Sequence, residues 1–121
     1  WSHLDRDPVI TVWTALDPAT VENGCVQVIP GSHHRLVNPE HPSGFLSPEQ
    51  ARKIVARSRT VYLELEVGEV VLLHNWLLHT SEVNRTRQSR RAFSVCYMDA
   101  ATAAGNGTPY PVVFGSGALV A

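Results

Sequence analysis

The chain has 121 residues, 44% apolar and 17% charged, a mixture able to bury one core and too apolar for a disordered segment. Ten lysines and arginines against eleven acidic residues leave a formal charge of −1, so no overall field favours nucleic acid or an anionic membrane. Its longest apolar runs, such as Val70 to Leu73, fall far short of the roughly 20 residues that span a bilayer, which excludes a transmembrane helix as a partner of lipid.

The chain opens at Trp1 without an initiator Met or a basic-then-apolar leader, as a piece cut from something longer would. The compartment stays open, with the cytoplasm favoured. Within the first residues, His3-Leu4-Asp5 spells H-x-D, two of the three ligands of a 2-His-1-carboxylate iron site. Val9 to Leu16 is dense in β-branched and aromatic residues and ends at Asp17-Pro18, which predicts a central strand, apolar on both faces. After a polar turn containing Glu22-Asn23-Gly24, Cys25 to Ile29 reads as a second strand, stopped by Pro30-Gly31-Ser32. The two strands are expected to be antiparallel neighbours.

From His33 to Arg59 the pattern becomes a polar excursion holding one helix. Ser47 is its cap, Pro48 suits the first helical position, and Gln50 sits where a capping box reaches back, giving a helix through about Arg57. Arg52, Lys53, Arg57 and Arg59 make a basic patch, read first as a solvated face and second as a contact for an anionic substrate group. Val61 to Val67 alternates, with Tyr62, Glu64 and Glu66 facing water. Gly68-Glu69 turns the chain into Val70 to His74, and Asn75-Trp76 interrupts before Leu77-Leu78-His79. Arg91 to Met98 is the last strong strand, and the Ala-, Gly- and Pro-containing tail from Asp99 reads as irregular. At least five strands with one helix predict an all-β jelly roll or barrel. It falls a few strands short of the eight that close a jelly roll, which leaves an exposed edge for self-association or a covering partner.

Cys25 and Cys96 lie in apolar strands without a metal-binding spacing and read as buried free thiols. His33, His34 and His41 fall in a polar loop, where a surface histidine is the default. His74 and His79 both follow an apolar run; in one continuous strand they would face opposite sides of the sheet, so only one could point inward. Arg85, Arg87, Arg90 and Arg91 would ordinarily be a solvated loop. Arg90-Arg91 leads directly into an apolar strand, however, and an arginine inside a barrel needs an anionic partner such as a carboxylate ligand.

Taken together, Val12-Trp13-Thr14-Ala15-Leu16-Asp17, Glu22-Asn23-Gly24-Cys25 and Val28-Ile29-Pro30-Gly31-Ser32-His33, followed by Gly68-Glu69-Val70, His74 to His79 and Arg90, resemble the phytanoyl-CoA dioxygenase family over most of the chain. The resemblance implies a double-stranded β-helix, a cupin-like form of the jelly roll, with residues 1–121 as the C-terminal part of a single oxygenase domain. It implies Fe(II) and 2-oxoglutarate as cosubstrate, decarboxylation to succinate, and hydroxylation of a small-molecule substrate. By the same resemblance His79 is the distal metal histidine, Arg90 pairs with the far carboxylate of 2-oxoglutarate, Ser81 adds a hydroxyl, Trp13 lines the cosubstrate pocket, and His74 is no ligand. One departure matters. The family's H-x-D pair precedes the tryptophan strand by more than the separation of His3 from Trp13, and an aromatic like Trp1 commonly follows that pair. The expected pair then lies a few residues upstream of Trp1, with His3 and Asp5 as the alternative ligands.

Two rival readings stand beside this one. A non-catalytic jelly-roll binding module that has lost its metal predicts no thermal stabilisation by Fe(II) with 2-oxoglutarate. An unrelated cupin-like isomerase or carbohydrate binder leaves the His79-to-Arg90 spacing unexplained.

Overall fold

The computed structural model describes residues 1, 3–41 and 44–118. Its regular elements are β1 (Ile10–Ala15), β2 (Val26–Val28), α1 (Pro48–Val55), β3 (Val61–Leu63), β4 (Val70–His74), β5 (His79–Ser81) and β6 (Ala92–Tyr97), with a single 3-10 turn at Ser32–His34. The strands form two antiparallel three-stranded sheets, ordered β4-β1-β6 and β3-β2-β5. This is the expected all-β, jelly-roll-type architecture with one short helix in the excursion, and the six strands among the described residues are fewer than the eight of a closed jelly roll.

The strand rich in β-branched residues is central, as its composition predicts: β1 is paired on both edges, Trp13 lying opposite Val71 on β4 and Ser94 on β6. Its expected partnership with β2 does not occur. Both edges of β1 are taken, and the chain turns at Asp17-Pro18 and crosses to the other sheet, where β2 pairs with β3 and β5. Likewise β3 and β4 do not form a hairpin. Only Val61–Leu63 of the alternating run is regular ladder; Leu65 instead exchanges backbone hydrogen bonds with Ala19, and Gly68 donates to the Ala15 carbonyl, so the run leads the chain from one sheet to the other.

The helix begins as its sequence dictates. The Ser47 hydroxyl accepts from the Gln50 amide at 3.2 Å while the Gln50 side chain accepts from the Ser47 amide at 2.8 Å, satisfying two donors that the first turn leaves open. In the basic patch, Lys53 is paired with Glu49 at 2.6 Å on the exposed face.

Among the described residues the buried apolar side chains are Ala15, Ala19 and Cys25, where the chain passes between the sheets, and Val28 on β2. By register, Val70, Leu72 and Phe93 share one face of β4-β1-β6 with Ile10 and Tyr97, and that face is open to solvent. Among the described residues, no helix is long and apolar enough to cross a membrane.

Candidate functional site

His79 opens β5, an edge strand, and its position is set from the Ile29-to-Ser32 segment. Ile29 donates to the Leu78 carbonyl at 3.0 Å, and the Ser32 hydroxyl accepts from the Leu78 amide at 2.8 Å, so the residue before His79 is tied at both polar ends. The His79 ring places Nδ1 at 2.7 Å from the Leu77 carbonyl. A carbonyl only accepts, so Nδ1 carries the proton and the Nε2 lone pair of the neutral ring is left for a metal, the arrangement that orients ligating histidines. Pairing of His79 with Val28 and of Ser81 with Val26 puts the His79 and Ser81 side chains on one face of β5.

His74 does not share a strand with His79. It ends β4, in the other sheet, and its Nδ1 accepts from the Trp76 amide at 3.0 Å while the ring packs on His33 and Trp76. These contacts hold the His74 ring at the end of β4. His33, read from sequence as a surface residue, is half-buried in the same ring cluster, because the 3-10 turn carries it against the end of β4.

Arg90 and Arg91 part company at the entrance to β6. Arg91 grips Asp17: its Nε and Nη2 donate to the two carboxylate oxygens at 2.8 and 2.9 Å, and its amide donates at 2.8 Å. Those hydrogen bonds, side chain first, hold the Asp17 carboxyl at about 2, below the ordinary 3.8, and raise the Arg91 guanidinium. Arg90, half-buried, donates through Nε to the Asn23 carbonyl at 3.0 Å and forms no ion pair among the described residues. Its two terminal nitrogens are the free edge of the fork, which suits a planar carboxylate. Nearby, burial pushes the Cys25 thiol up, with Glu64 adding to the shift and Arg90 opposing it; a neutral thiol is no nucleophile here. Both cysteines are free, and Cys96 accepts from Asn75 at 3.1 Å.

The turn that receives Arg90 was not singled out from sequence as functional. Asn23, 1% exposed, accepts from the Thr20 amide and donates to the Pro18 carbonyl, both at 2.8 Å. The Asn-Gly pair signals a tight turn, and no local pattern could have revealed which distant arginine it meets.

His3 and Asp5 lie elsewhere. The His3 carbonyl accepts from Gly105 at 2.8 Å, the Asp5 carboxylate accepts from Ala103 at 2.9 Å, and Arg6 lies 3.6 Å from the same carboxylate oxygen. They brace the segment after β6. Among the described residues, no three His, Cys, Asp or Glu side chains gather into a group that could hold a metal, so His79 is not joined there by His3 and Asp5. Trp13 is half-buried on β1, in the other sheet from His79 and Ser81.

His79, Thr80 and Ser81 line a cavity of about 590 Å³ whose opposite wall is the excursion, through Leu36, Phe45, Leu46 and Ile54. Its volume is in the range of small-molecule sites, and its lining is mostly apolar.

Residues 1–92 match the family model of phytanoyl-CoA dioxygenase. A phytanoyl-CoA dioxygenase domain-containing protein 1 homolog of Caenorhabditis elegans is 33% identical over 102 residues, 77% of this chain and 35% of that protein. Among solved structures, the non-heme alpha ketoglutarate dependent carbocyclase SnoK from nogalamycin biosynthesis superposes with a TM-score of 0.73 at 28% identity, covering 88% of this chain and 48% of that one. The epimerase SnoN, in complex with Fe3+, alpha ketoglutarate and nogalamycin RO, gives 0.64 at 30% identity, covering 80% of this chain and 38% of that one. The chain thus spans about a third of the length of the curated relatives it matches.

Proposed function

The chain belongs to the phytanoyl-CoA dioxygenase family, and from that premise we propose that it is the C-terminal part of a single oxygenase domain that uses Fe(II) and 2-oxoglutarate to hydroxylate a small molecule. The six strands among the described residues, against the eight of a closed jelly roll, and the third of the relatives' length support the domain assignment. When bound, Fe(II) with 2-oxoglutarate would supply activation of O₂, one oxygen atom entering an unactivated C–H bond of the substrate and the other the succinate that is released with CO₂.

The observation that carries this reading is Arg90. A half-buried guanidinium whose neighbour Arg91 has taken the nearby carboxylate, and whose own bond is to a neutral carbonyl, suits an anionic ligand as its partner. Its terminal nitrogens would form a bidentate pair with the distal carboxylate of 2-oxoglutarate, and the Ser81 hydroxyl would donate to the same group. His79 would offer Nε2 to the metal, its tautomer fixed by the Leu77 carbonyl. Trp13 would flank the cosubstrate from the other sheet. The apolar cavity beside His79 would hold the substrate carbon chain and keep water out, with selectivity residing in the excursion before β3. The metal's remaining ligands would be an H-x-D pair preceding Trp1, and the open sheet edges offer a surface for self-association.

Arg90→Ala in the intact protein tests the assignment. Loss of two charge-assisted hydrogen bonds should weaken 2-oxoglutarate binding on the order of a hundredfold while circular dichroism stays unchanged. Unaltered cosubstrate affinity would contradict it.

A further inference from the structure

We propose that the turn from Thr20 to Cys25 is the positioning element of the cosubstrate site: the Asn23 carbonyl aims Arg90, and Gly24 lets the backbone beside Ser81 close onto the same turn. The inference rests on the reading of Arg90 and Ser81 as the groups that hold 2-oxoglutarate.

Asn23 spends its side chain inside its own loop, on Thr20 and Pro18, and its amide donates to the Thr20 hydroxyl at 3.3 Å. Gly24 donates to the Val21 carbonyl at 3.2 Å and Cys25 to the Thr20 carbonyl at 2.9 Å. With these bonds made, the loop is rigid and the Asn23 carbonyl remains as an acceptor directed at Arg90 Nε, 67 positions along the chain. A guanidinium held at Nε has its plane set, and its outer edge presents two parallel donors. Gly24 has φ of +80°, and a Cβ there would stand 2.4 Å from the Glu82 carbonyl oxygen. The chain immediately after Ser81 therefore lies against the turn that holds Arg90, and one loop sets the spacing of both carboxylate-binding groups.

Asn23 and Gly24 are positioning residues, and a purely structural role would alter stability without acting through Arg90. The experiment is a double-mutant cycle read as the calorimetric Kd of 2-oxoglutarate for the intact protein loaded with Mn(II), which requires no turnover. Asn23→Ala keeps the backbone carbonyl but cuts the side-chain bonds to Thr20 and Pro18 that aim it at Arg90, and should weaken binding on the order of tenfold. In an Arg90→Ala background the same substitution should change Kd by less than about twofold, since its partner is already gone. Arg90→Lys, which has no Nε–H to give the carbonyl, should bind weakly and be equally insensitive to Asn23→Ala. Should Asn23→Ala fail to fold, Thr20→Val removes only the hydroxyl that accepts from Asn23, and its smaller loss of affinity should vanish in the same way without Arg90. An equal loss in both backgrounds would overturn the positioning role and leave Arg90 as a ligand. An Arg90→Ala protein that binds 2-oxoglutarate normally would overturn both.

Discussion

Arg90 is met by a loop whose buried Asn23 is tied at both ends of its side chain, whereas His79 stands exposed on an edge strand with one contact to the Leu77 carbonyl. The half of the candidate site proposed to read the carboxylate is assembled from residues of this chain that are far apart in sequence and joined by hydrogen bonds. The proposed metal half supplies one oriented imidazole, with no group of three ligand-type side chains gathered among the described residues. The difference indicates that the two halves depend on different stretches of polypeptide, so they can be broken separately.

The largest effect is expected at the joint itself. Gly24→Ala adds a Cβ against the Glu82 carbonyl in a left-handed backbone, and should cost about 3 kcal/mol or more in urea unfolding. Gly68→Ala is the matched control, since φ is +87° but nothing lies within 4 Å; about 1 kcal/mol is expected there. Equal losses at the two glycines would remove the close approach to Glu82 from the account.

A smaller effect separates Arg91 from Arg90. Asp17 has a folded-state value of about 2 against 3.8 for the free group, so its ionised form is favoured by folding. Its contribution is complete above the unfolded value and fades as the pH falls from 3.8 towards about 2. Asp17→Asn should therefore be less stable than the parent at neutral pH and lose less stability through that acid window, with 2-oxoglutarate affinity held by Arg90. Parallel acid-unfolding curves for the two proteins would break the Asp17–Arg91 pairing. The smallest effect is predicted away from both halves: Ser47→Ala should cost about 1 kcal/mol through the lost cap, seen as faster amide exchange in α1, and leave cosubstrate binding unchanged.

What could be read from sequence was whatever is encoded locally. The density of β-branched residues around Trp13 marks a central strand, and Ser47, Pro48 and Gln50 specify the start of α1 down to its two capping bonds. Strand pairing was less legible. Adjacency in sequence suggested β1 beside β2, but the crossing at Asp17-Pro18 is decided by contacts such as Ala19 with Leu65 that no local pattern carries. His33 looked like a loop histidine because its ring partner, His74, is brought near only by the fold. For the site, the family resemblance pointed to His79, Ser81 and Arg90, while the roles of Asn23, Gly24 and Ser32 emerge only when distant segments meet.

The central claim, that this chain carries the cosubstrate half of the site and only one arm of the metal half, is tested most directly by titrating the 121-residue chain with Fe(II) under anaerobic conditions, beside the intact protein. The account predicts weak, non-stoichiometric binding to the chain and tight 1:1 binding to the intact protein. Tight binding by the chain alone, abolished by His3→Ala or Asp5→Ala, would contradict it and make those residues the missing ligands.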